Sequence, residues 1–447
     1  MSAPARNKES ARRLLLIAYR FDPDFSMESR LAWQRALTAA QRYHVTVLCS
    51  LVGPELQEAR QAGVEVLHVA PSRIERVFGR GPGGFALAYA RWRRRAFRAA
   101  RARHQQTPFD LIHHVSYCGY RQPSLCHRLG VPYLWGPIGG THAFPPRYLR
   151  AIDSPGAARE LLRNIVNAFQ LHWSPAVRAA MNDSTTVLAA SQQARQELAA
   201  AGHDVEGVML ETGVATVDEA PRPPRDPGLP LRILWAGRAC SWKALPLLLR
   251  ALAGVAPDCH YQLRVMSAGP QLKRWQREAT KLGLGDCVQW VGWPGCAARE
   301  PHYRWADVFA FTSLRDTSGT GLLEALAVGV PVIGVDHQGA ADVLTDRCSL
   351  KVPATNPAAT ITGFRDGVQR LAADPELLAQ LAQGAVDRAR DYLWSRQSER
   401  LWDLYETALA GAPSPTTSQP NQPAEQLTTC TSSSPLAAVS GCTRAEP

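Results

Sequence analysis

No stretch of this 447-residue chain approaches the roughly 20 consecutive apolar residues that cross a bilayer, which excludes a transmembrane helix. Zinc chemistry and a disulfide framework are excluded next. The ten cysteines (Cys49, Cys118, Cys126, Cys240, Cys259, Cys287, Cys296, Cys348, Cys430 and Cys442) form no CxxC pair and no Cys/His spacing. Scattered thiols in a chain this long are expected to stay reduced in a cytosolic protein. No cleavage site of small residues follows the basic start MSAPARNKESARR, and Arg20, Asp22 and Asp24 interrupt the apolar stretch after it. LLLIAY is therefore expected to be a buried strand rather than part of a signal peptide. Negative charge is in deficit: 50 Lys and Arg against 39 Asp and Glu, a net +11. That excess attracts anions, whether nucleotide phosphates, nucleic acid or an anionic lipid surface, and says nothing about fold. No nucleic-acid-binding module accompanies it, which leaves nucleic acid out of the expected partners.

What the chain does have is alternation. RLLLIAY, HVTVLCS, VEVLHVA, FDLIHHVS and VPYLWG read as strands, interleaved with helical segments such as SRLAWQRALTAAQRY and LQEARQAG. Short aliphatic strands alternating with helices specify a parallel sheet covered on both faces. After PRPPRDPGLP the pattern restarts with LRILWAGR, YQLRVMSAG, CVQWVGW, DVFAFTS and PVIGVD. The expected organisation is an N-terminal Rossmann-like domain over 1–220, a linker over 221–230 and a second doubly wound domain over 231–395. A terminal helix over 396–410 is expected to pack back toward the first domain. The Pro-, Ser- and Thr-rich tail, 411–447, has too little apolar content to fold alone. Ligands of such sheets bind beyond the carboxyl ends of the strands, so the cleft between the domains is the expected site.

In the second half, ILWAGR ends in Gly237 and Arg238, and Lys243 follows five residues later. A diphosphate at a sheet edge needs cations and close backbone approach: Arg supplies a bidentate fork, Lys a point charge, and Gly237 room for the chain. Taken alone, the same residues also fit a strand-end arginine and a solvated lysine. Further on, TSLRDTSGTGLLEALAVGVPVI sets Asp316 and Glu324 around Gly319, Thr320 and Gly321. Glycines ahead of a helix leave backbone N–H groups for an anion or a hydroxyl. Glu324, one turn into that helix, suits ribose hydroxyls. The competing account is a capping Asp316 and a surface Glu324.

Together the two elements resemble the group 1 domain of glycosyltransferase family 4. GRACSWKALPLLLRAL, the MSAGP turn, VQWVGW and ADVFAFTSLRDTSGTGLLEALAVGVPVIGVDHQGAADV occur in that family's order and spacing. The resemblance implies an α/β GT-B fold, two doubly wound Rossmann-like domains facing a central cleft. It implies retaining transfer from a nucleoside diphosphate sugar with no metal or other cofactor. By it, Arg238 and Lys243 hold the diphosphate, Glu324 the ribose and Asp316 the hydroxyls of the donor sugar, with Gly237, Gly319, Thr320 and Gly321 completing the donor site. Asp316 stands where Glu is common, and Thr317-Ser318-Gly319 replaces Gly-Phe-Gly. These departures bear on which sugar is carried rather than on nucleotide binding.

The N-terminal half matches over shorter stretches. WGPIGG resembles a loop of a subset of the family and would bring the amides of Gly139 and Gly140 to the cleft; a simple tight turn is the other reading. His113 and His114 end a strand where family members often carry a histidine facing the reacting sugar. Adjacent strand residues point to opposite faces, so one of the pair is expected in the cleft. His114 joins Arg238, Lys243 and Asp316 as a catalytic candidate, and His113 joins Glu28, Gly139 and Gly140 on the acceptor side. In RFDPDFSMESRLAW, Ser26, Glu28 and Trp33 fit the subset's pattern while its glycines are replaced by bulkier residues.

The segment RWRRRAFRAARARH puts Arg91, Arg94, Arg95, Arg98 and Arg101 on one helical face, with Phe85, Tyr89, Trp92 and Ala96 along an apolar stripe. Two readings stand: 91–103 lies on an anionic membrane surface, or its basic face is solvated and its stripe packs on the sheet. The expected function is a hexosyltransferase acting on a glycan, lipid-linked or small-molecule acceptor in polysaccharide or glycoconjugate biosynthesis. It would work in the cytoplasm or peripherally on the inner face of the membrane. A non-catalytic nucleotide-sugar-binding scaffold and a nucleotide-sugar epimerase of the same architecture are the alternatives.

Overall fold

A computed structural model describes residues 11–411 other than 80–83, 118, 221, 223, 224, 296 and 297. The tail with Cys430 and Cys442 lies outside the described residues, as do Cys118 and Cys296. The cysteines within them are all free thiols.

The N-terminal domain is built on a seven-stranded sheet in the order Val64–His68, His44–Cys49, Arg13–Ile17, Leu111–His114, Tyr133–Ile138, Thr186–Ala189 and Gly207–Val208. Its pairings are parallel. Period-two alternation sorts the first strand's side chains between two cores. Leu14 and Leu16 pack with Trp33 and Tyr405 on one face, Leu15 and Ile17 with Trp92 and Tyr120 on the other. A strand covered on both faces carries an unbroken apolar run, which is why RLLLI shows no polar alternation.

The C-terminal domain repeats the plan with six parallel strands in the order Val288–Gly292, Tyr261–Met266, Leu231–Ala236, Val308–Phe311, Val332–Val335 and Ser349–Val352. The chain enters at Leu231–Ala236, builds outward to one edge, then returns to add Val308–Phe311 on the opposite side. Loops leaving these two adjacent strands diverge to opposite faces and open a crevice at their carboxyl ends.

The chain crosses between the domains at 209–214, earlier than the proline-rich segment expected to join them. Leu210 and Val214 are already buried beside Leu234 and Phe309 of the second domain. Val214 also forms a parallel bridge with Leu393, which stitches the outgoing crossing to the returning one. The described part of 221–230 is tied down on the second domain: Arg222 Nη2 donates to the Arg304 carbonyl at 2.8 Å and Arg225 Nη1 to that of Ala372 at 3.1 Å. Composition marked a loop there, but apolar anchors decide where the chain crosses.

The last helix, Trp394–Ala410, lies against the N-terminal sheet, with Leu401, Tyr405 and Ala408 buried in the core of Leu14 and Leu16. Tyr405 Oη meets His113 Nδ1 at 2.6 Å, and the Tyr43 hydroxyl donates to Glu406 at 2.8 Å. Tyr405→Phe leaves a buried ring nitrogen without its partner and is expected to destabilise the chain by about 1–2 kcal/mol in urea unfolding. An equal stability for the variant would remove this link from the account.

The helix Gly84–Gln106 resolves the arginine-rich segment. Tyr89, Trp92, Ala96 and Ala100 are buried, so its apolar stripe belongs to the core. Arg91, Arg94, Arg98 and Arg101 remain exposed, whereas Arg95 pairs with Glu75 at 2.7 Å. The helix therefore has no apolar stripe left for a membrane beyond Phe85 and Leu87 near its start. Among the described residues no helix is long and apolar enough to cross a membrane.

Candidate active site

The crevice predicted by the strand order holds a cavity of about 920 Å³. Gly237, Arg238, Lys243, Asp316, Ser318, Thr320, Gly321 and Glu324 line it from the second domain. Phe25, Ser26, Met27 and Arg30 line it from the first, and 212–216 from the crossing. The candidate donor-site residues expected from the sequence thus converge, except Gly319, which is not on the cavity wall and whose N–H donates to Asp316 at 3.2 Å.

Lys243 is fixed from behind. It closes the short turn Ser241–Lys243, where its carbonyl accepts from Thr312 Oγ1 at 2.6 Å. The buried Trp235 indole donates in turn to Thr312 Oγ1 at 2.8 Å. Its ammonium pairs with Asp316 and sits 5.6 Å from the Phe311 ring centroid. Arg238 contrasts with it: its side chain is exposed on the cavity wall and makes no hydrogen bond or ion pair with the described residues.

Burial alone would raise the Asp316 carboxyl, but the Lys243 charge and the Gly319 N–H, at 3.2 Å, hold it below the usual carboxylate range. Asp316 N–H donates to Gln338 Oε1 at 2.9 Å, and Gln338 Nε2 donates to the Ala143 carbonyl of the other domain at 2.9 Å. Gly319 adopts the left-handed conformation, φ +56°, as it opens the helix Thr320–Ala327. A β-carbon is disfavoured in that conformation, which explains a glycine there. The first N–H groups of a helix have no partner inside it, and the first two residues of this helix, Thr320 and Gly321, line the cavity. An anion placed there meets two cations and the positive end of a helix.

Glu324 does not wave free on the helix surface. Tyr303 Oη donates to its Oε2 at 2.7 Å, and Arg299 Nη1 stands 3.1 Å from Oε1. Burial and the Glu324 charge push the Tyr303 hydroxyl far above its ordinary value, so it remains a donor. Both oxygens are thus held, and the carboxylate on the cavity wall keeps lone pairs to spare for further donors such as hydroxyls.

The N-terminal candidates divide. Ser26 caps the helix Met27–Ala39, Glu28 lies exposed in its first turn, and Trp33 is a core residue at 4.7 Å ring distance from Phe21. Phe25 and Met27 are bulkier than glycine and stand on the cavity wall. Gly139 is explained by contact: a β-carbon there would lie 2.3 Å from Glu211 Oε1 and 3.0 Å from Thr317 Cγ2. It lets the first domain close on the donor loop. The Gly140 carbonyl accepts from Arg163 Nη2 at 3.1 Å, so that residue braces the loop.

Neither histidine reaches the cleft, which corrects the expectation for His113 and His114. Both are fully buried. His113 uses its ring nitrogens on Tyr405 and on the Gly136 carbonyl, 2.8 Å away, on the terminal-helix side of the sheet. His114 lies on the other side, under Tyr89 and stacked 6.4 Å from Trp135. Burial drives both rings toward the neutral form, His114 down to about 3. They close the strand Leu111–His114, but the side chains of both are covered by the cores on either face of the sheet.

Sequence reasoning missed Arg299, Tyr303, Gln338 and above all Glu211. Burial, with the nearby carboxylates Glu28 and Asp316, pushes the Glu211 carboxyl up to about 8, against the opposing pull of Arg35 and a hydrogen bond with Ser318. No spacing rule marks it, because its partners come from three separate segments. Among the described residues no group of three His, Cys, Asp or Glu is placed to hold a metal ion.

Known proteins resemble the chain in sequence and in fold. A family profile described as glycosyl transferases group 1 matches residues 230–374. A D-inositol 3-phosphate glycosyltransferase of Saccharomonospora viridis is 31% identical over 189 residues, 40% of this chain and 43% of the relative, so less than half of that relative's length is spanned. The GDP-mannose-dependent alpha-(1-6)-phosphatidylinositol monomannoside mannosyltransferase of Mycolicibacterium smegmatis is 30% identical over 286 residues, 57% of this chain and 73% of the relative. Among solved structures, HepE of Anabaena in complex with UDP superposes with a TM-score of 0.59 at 16% identity, covering 89% of this chain and 100% of that one. Two parallel doubly wound sheets, a cleft built at their strand reversal and a relative matched over most of its length lead to one assignment: the chain belongs to the group 1 glycosyltransferases and has their GT-B fold.

Proposed function

We propose that the protein is a retaining glycosyltransferase that moves a hexose from a nucleoside diphosphate sugar to a glycan, lipid-linked or small-molecule acceptor. One observation carries this reading: Arg238, Lys243 and the start of the helix Thr320–Ala327 meet in a single cavity with Glu324 beyond them. Two cations and a helix N-terminus match a diphosphate, and the tethered carboxylate matches the two hydroxyls of a ribose. The UDP in the HepE complex and the GDP-mannose dependence of the mycobacterial relative are ligands of this class.

As the sugar–phosphate bond breaks, the leaving diphosphate gains negative charge. Arg238, Lys243 and the amides at the helix start stabilise it in place, with little reorganisation because Thr312 and Trp235 already hold Lys243. Asp316, braced by Lys243 and Gln338, accepts hydrogen bonds from hydroxyls of the transferred sugar. The proposal is tested by incubating the chain with UDP- and GDP-sugars, with and without glycan and lipid-linked acceptors. Nucleoside diphosphate is expected to appear only when an acceptor is present, and the product linkage should keep the donor's anomeric configuration by NMR. Interconversion of the nucleotide sugar without acceptor points to an epimerase. Tight binding without turnover on any acceptor points to a scaffold.

A further inference from the structure

The helix Ser154–Trp173 is amphipathic the wrong way round for a soluble protein. Its polar side faces inward. Buried Glu160 pairs with Arg315 of the second domain, and Arg163 Nη1 donates to the His142 carbonyl at 2.8 Å. Asn164 exchanges two 2.8 Å hydrogen bonds with the Phe144 backbone, and Asn167 Oδ1 accepts from the buried Tyr120 hydroxyl at 2.9 Å. Its apolar side faces solvent. Leu162 is 63% exposed, Ile165 61%, Phe169 61% and Trp173 64%, with Val166 and Leu161 beside them. Positions 162, 165, 166, 169 and 173 follow the helical repeat, so they form one continuous ridge rather than scattered exposures. The inward hydrogen bonds lock the roll of the helix, and it cannot turn the ridge under without leaving buried Glu160 and Asn167, and half-buried Arg163 and Asn164, unpaired.

We infer that this ridge docks the protein on an anionic lipid bilayer. Charge selects that occupant. Between 154 and 182 the sole carboxylate is Glu160, buried and paired, while Arg159 and Arg178 are exposed. A second copy packed symmetrically on the ridge would set these arginines against each other with no carboxylate on this stretch to neutralise them. A layer of anionic headgroups neutralises all of them while the apolar ridge enters the acyl boundary. Trp173 closes one end of the ridge next to exposed His172, the place an amphipathic ring takes at a membrane interface. The basic helix Gly84–Gln106 offers a shorter apolar surface, because Tyr89, Trp92, Ala96 and Ala100 are spent in the core and Phe85 and Leu87 stay exposed near its start. The docking does not depend on which sugar moves.

The test is sedimentation of the full chain with vesicles of equimolar phosphatidylglycerol and phosphatidylcholine, against phosphatidylcholine alone. The chain is expected to bind the anionic vesicles and release them as salt rises. Ile165→Glu with Phe169→Glu should weaken binding about tenfold or more, and Arg159→Ala with Arg178→Ala should lower it and flatten its salt dependence. All four positions lie off the cavity, so the nucleotide-induced thermal shift serves as the folding control and reads the donor site separately. Wild-type chain that ignores anionic vesicles, or a double-glutamate variant that binds them as before, overturns the inference. So does a wild-type dimer in analytical ultracentrifugation that the glutamates convert to monomer, since the ridge would then be a self-contact.

Discussion

Lys243→Ala is expected to abolish the thermal stabilisation that UDP or GDP confers and to lower turnover by about 10²–10³-fold. Of Arg238 and Lys243, the two cations on the cavity wall that the proposal assigns to the diphosphate, it is the one whose carbonyl and ammonium are both held. Arg238 remains in the variant, but with exposed, unbraced geometry it supplies charge without a fixed position. Removing the ammonium also leaves Asp316 as a lone carboxylate beside the incoming phosphates, so attraction turns to repulsion at that point. The same loss should weaken the ligand-free fold by roughly 1–3 kcal/mol, because a carboxylate that is largely buried loses its counter-charge. Adding Asp316→Asn separates the two effects: the double variant should regain most of the stability and none of the nucleotide response. Full retention of the nucleotide shift in Lys243→Ala would falsify the donor site as drawn.

How far the sequence reveals this site depends on where each residue's partners lie. Gly237, Arg238, Lys243, Asp316 and Glu324 were legible because each is set by a strand end or helix start, and those follow from local period and turn chemistry. The doubly wound order followed from alternation for the same reason. The histidines failed on a finer point. Period-two logic correctly sent His113 and His114 to opposite faces, but both faces of that strand are covered, by Tyr405 and by Trp135, so neither face is the cleft. The crossing point failed because proline content reports loop character, whereas Leu210 and Val214 report which core a segment joins. Glu211, Arg299 and Gln338 were invisible for a plainer reason. Their roles are tertiary, with partners far away in sequence, and no local pattern encodes such a meeting. The outward ridge of Ser154–Trp173 meets the same limit: the tertiary partners of Asn164, Asn167 and Glu160 fix which side of that helix faces solvent.

Glu211→Gln is expected to change the pH dependence of both stability and donor binding. In the folded chain desolvation of this half-buried carboxyl, with the Glu28 and Asp316 charges near it, pushes it up to about 8, well above an ordinary glutamate. A carboxyl raised in this way contributes its full stability below the unfolded value of about 4.5. The contribution declines as pH rises, because the unfolded chain ionises first, and it is gone once pH passes the folded value near 8. Wild-type stability should therefore fall across that window by roughly 2 kcal/mol, after a discount for solvent screening, relative to a glutamine variant that has nothing to ionise there. At pH 5 the two proteins should be nearly equal, and at pH 9 the variant should be the more stable. Binding follows the same sign. Above pH 8 an ionised Glu211 adds a third carboxylate close to the donor loop, next to the Gly139 backbone and Thr317, and opposes the diphosphate. Wild-type affinity for UDP should then drop several-fold between pH 7 and pH 9 while the variant's stays flat, with calorimetric titration at both values as the measurement. Parallel pH curves for the two proteins would mean that Glu211 ionises like a solvent-exposed glutamate, and the closed contact between it, Gly139 and Ser318 would have to be abandoned.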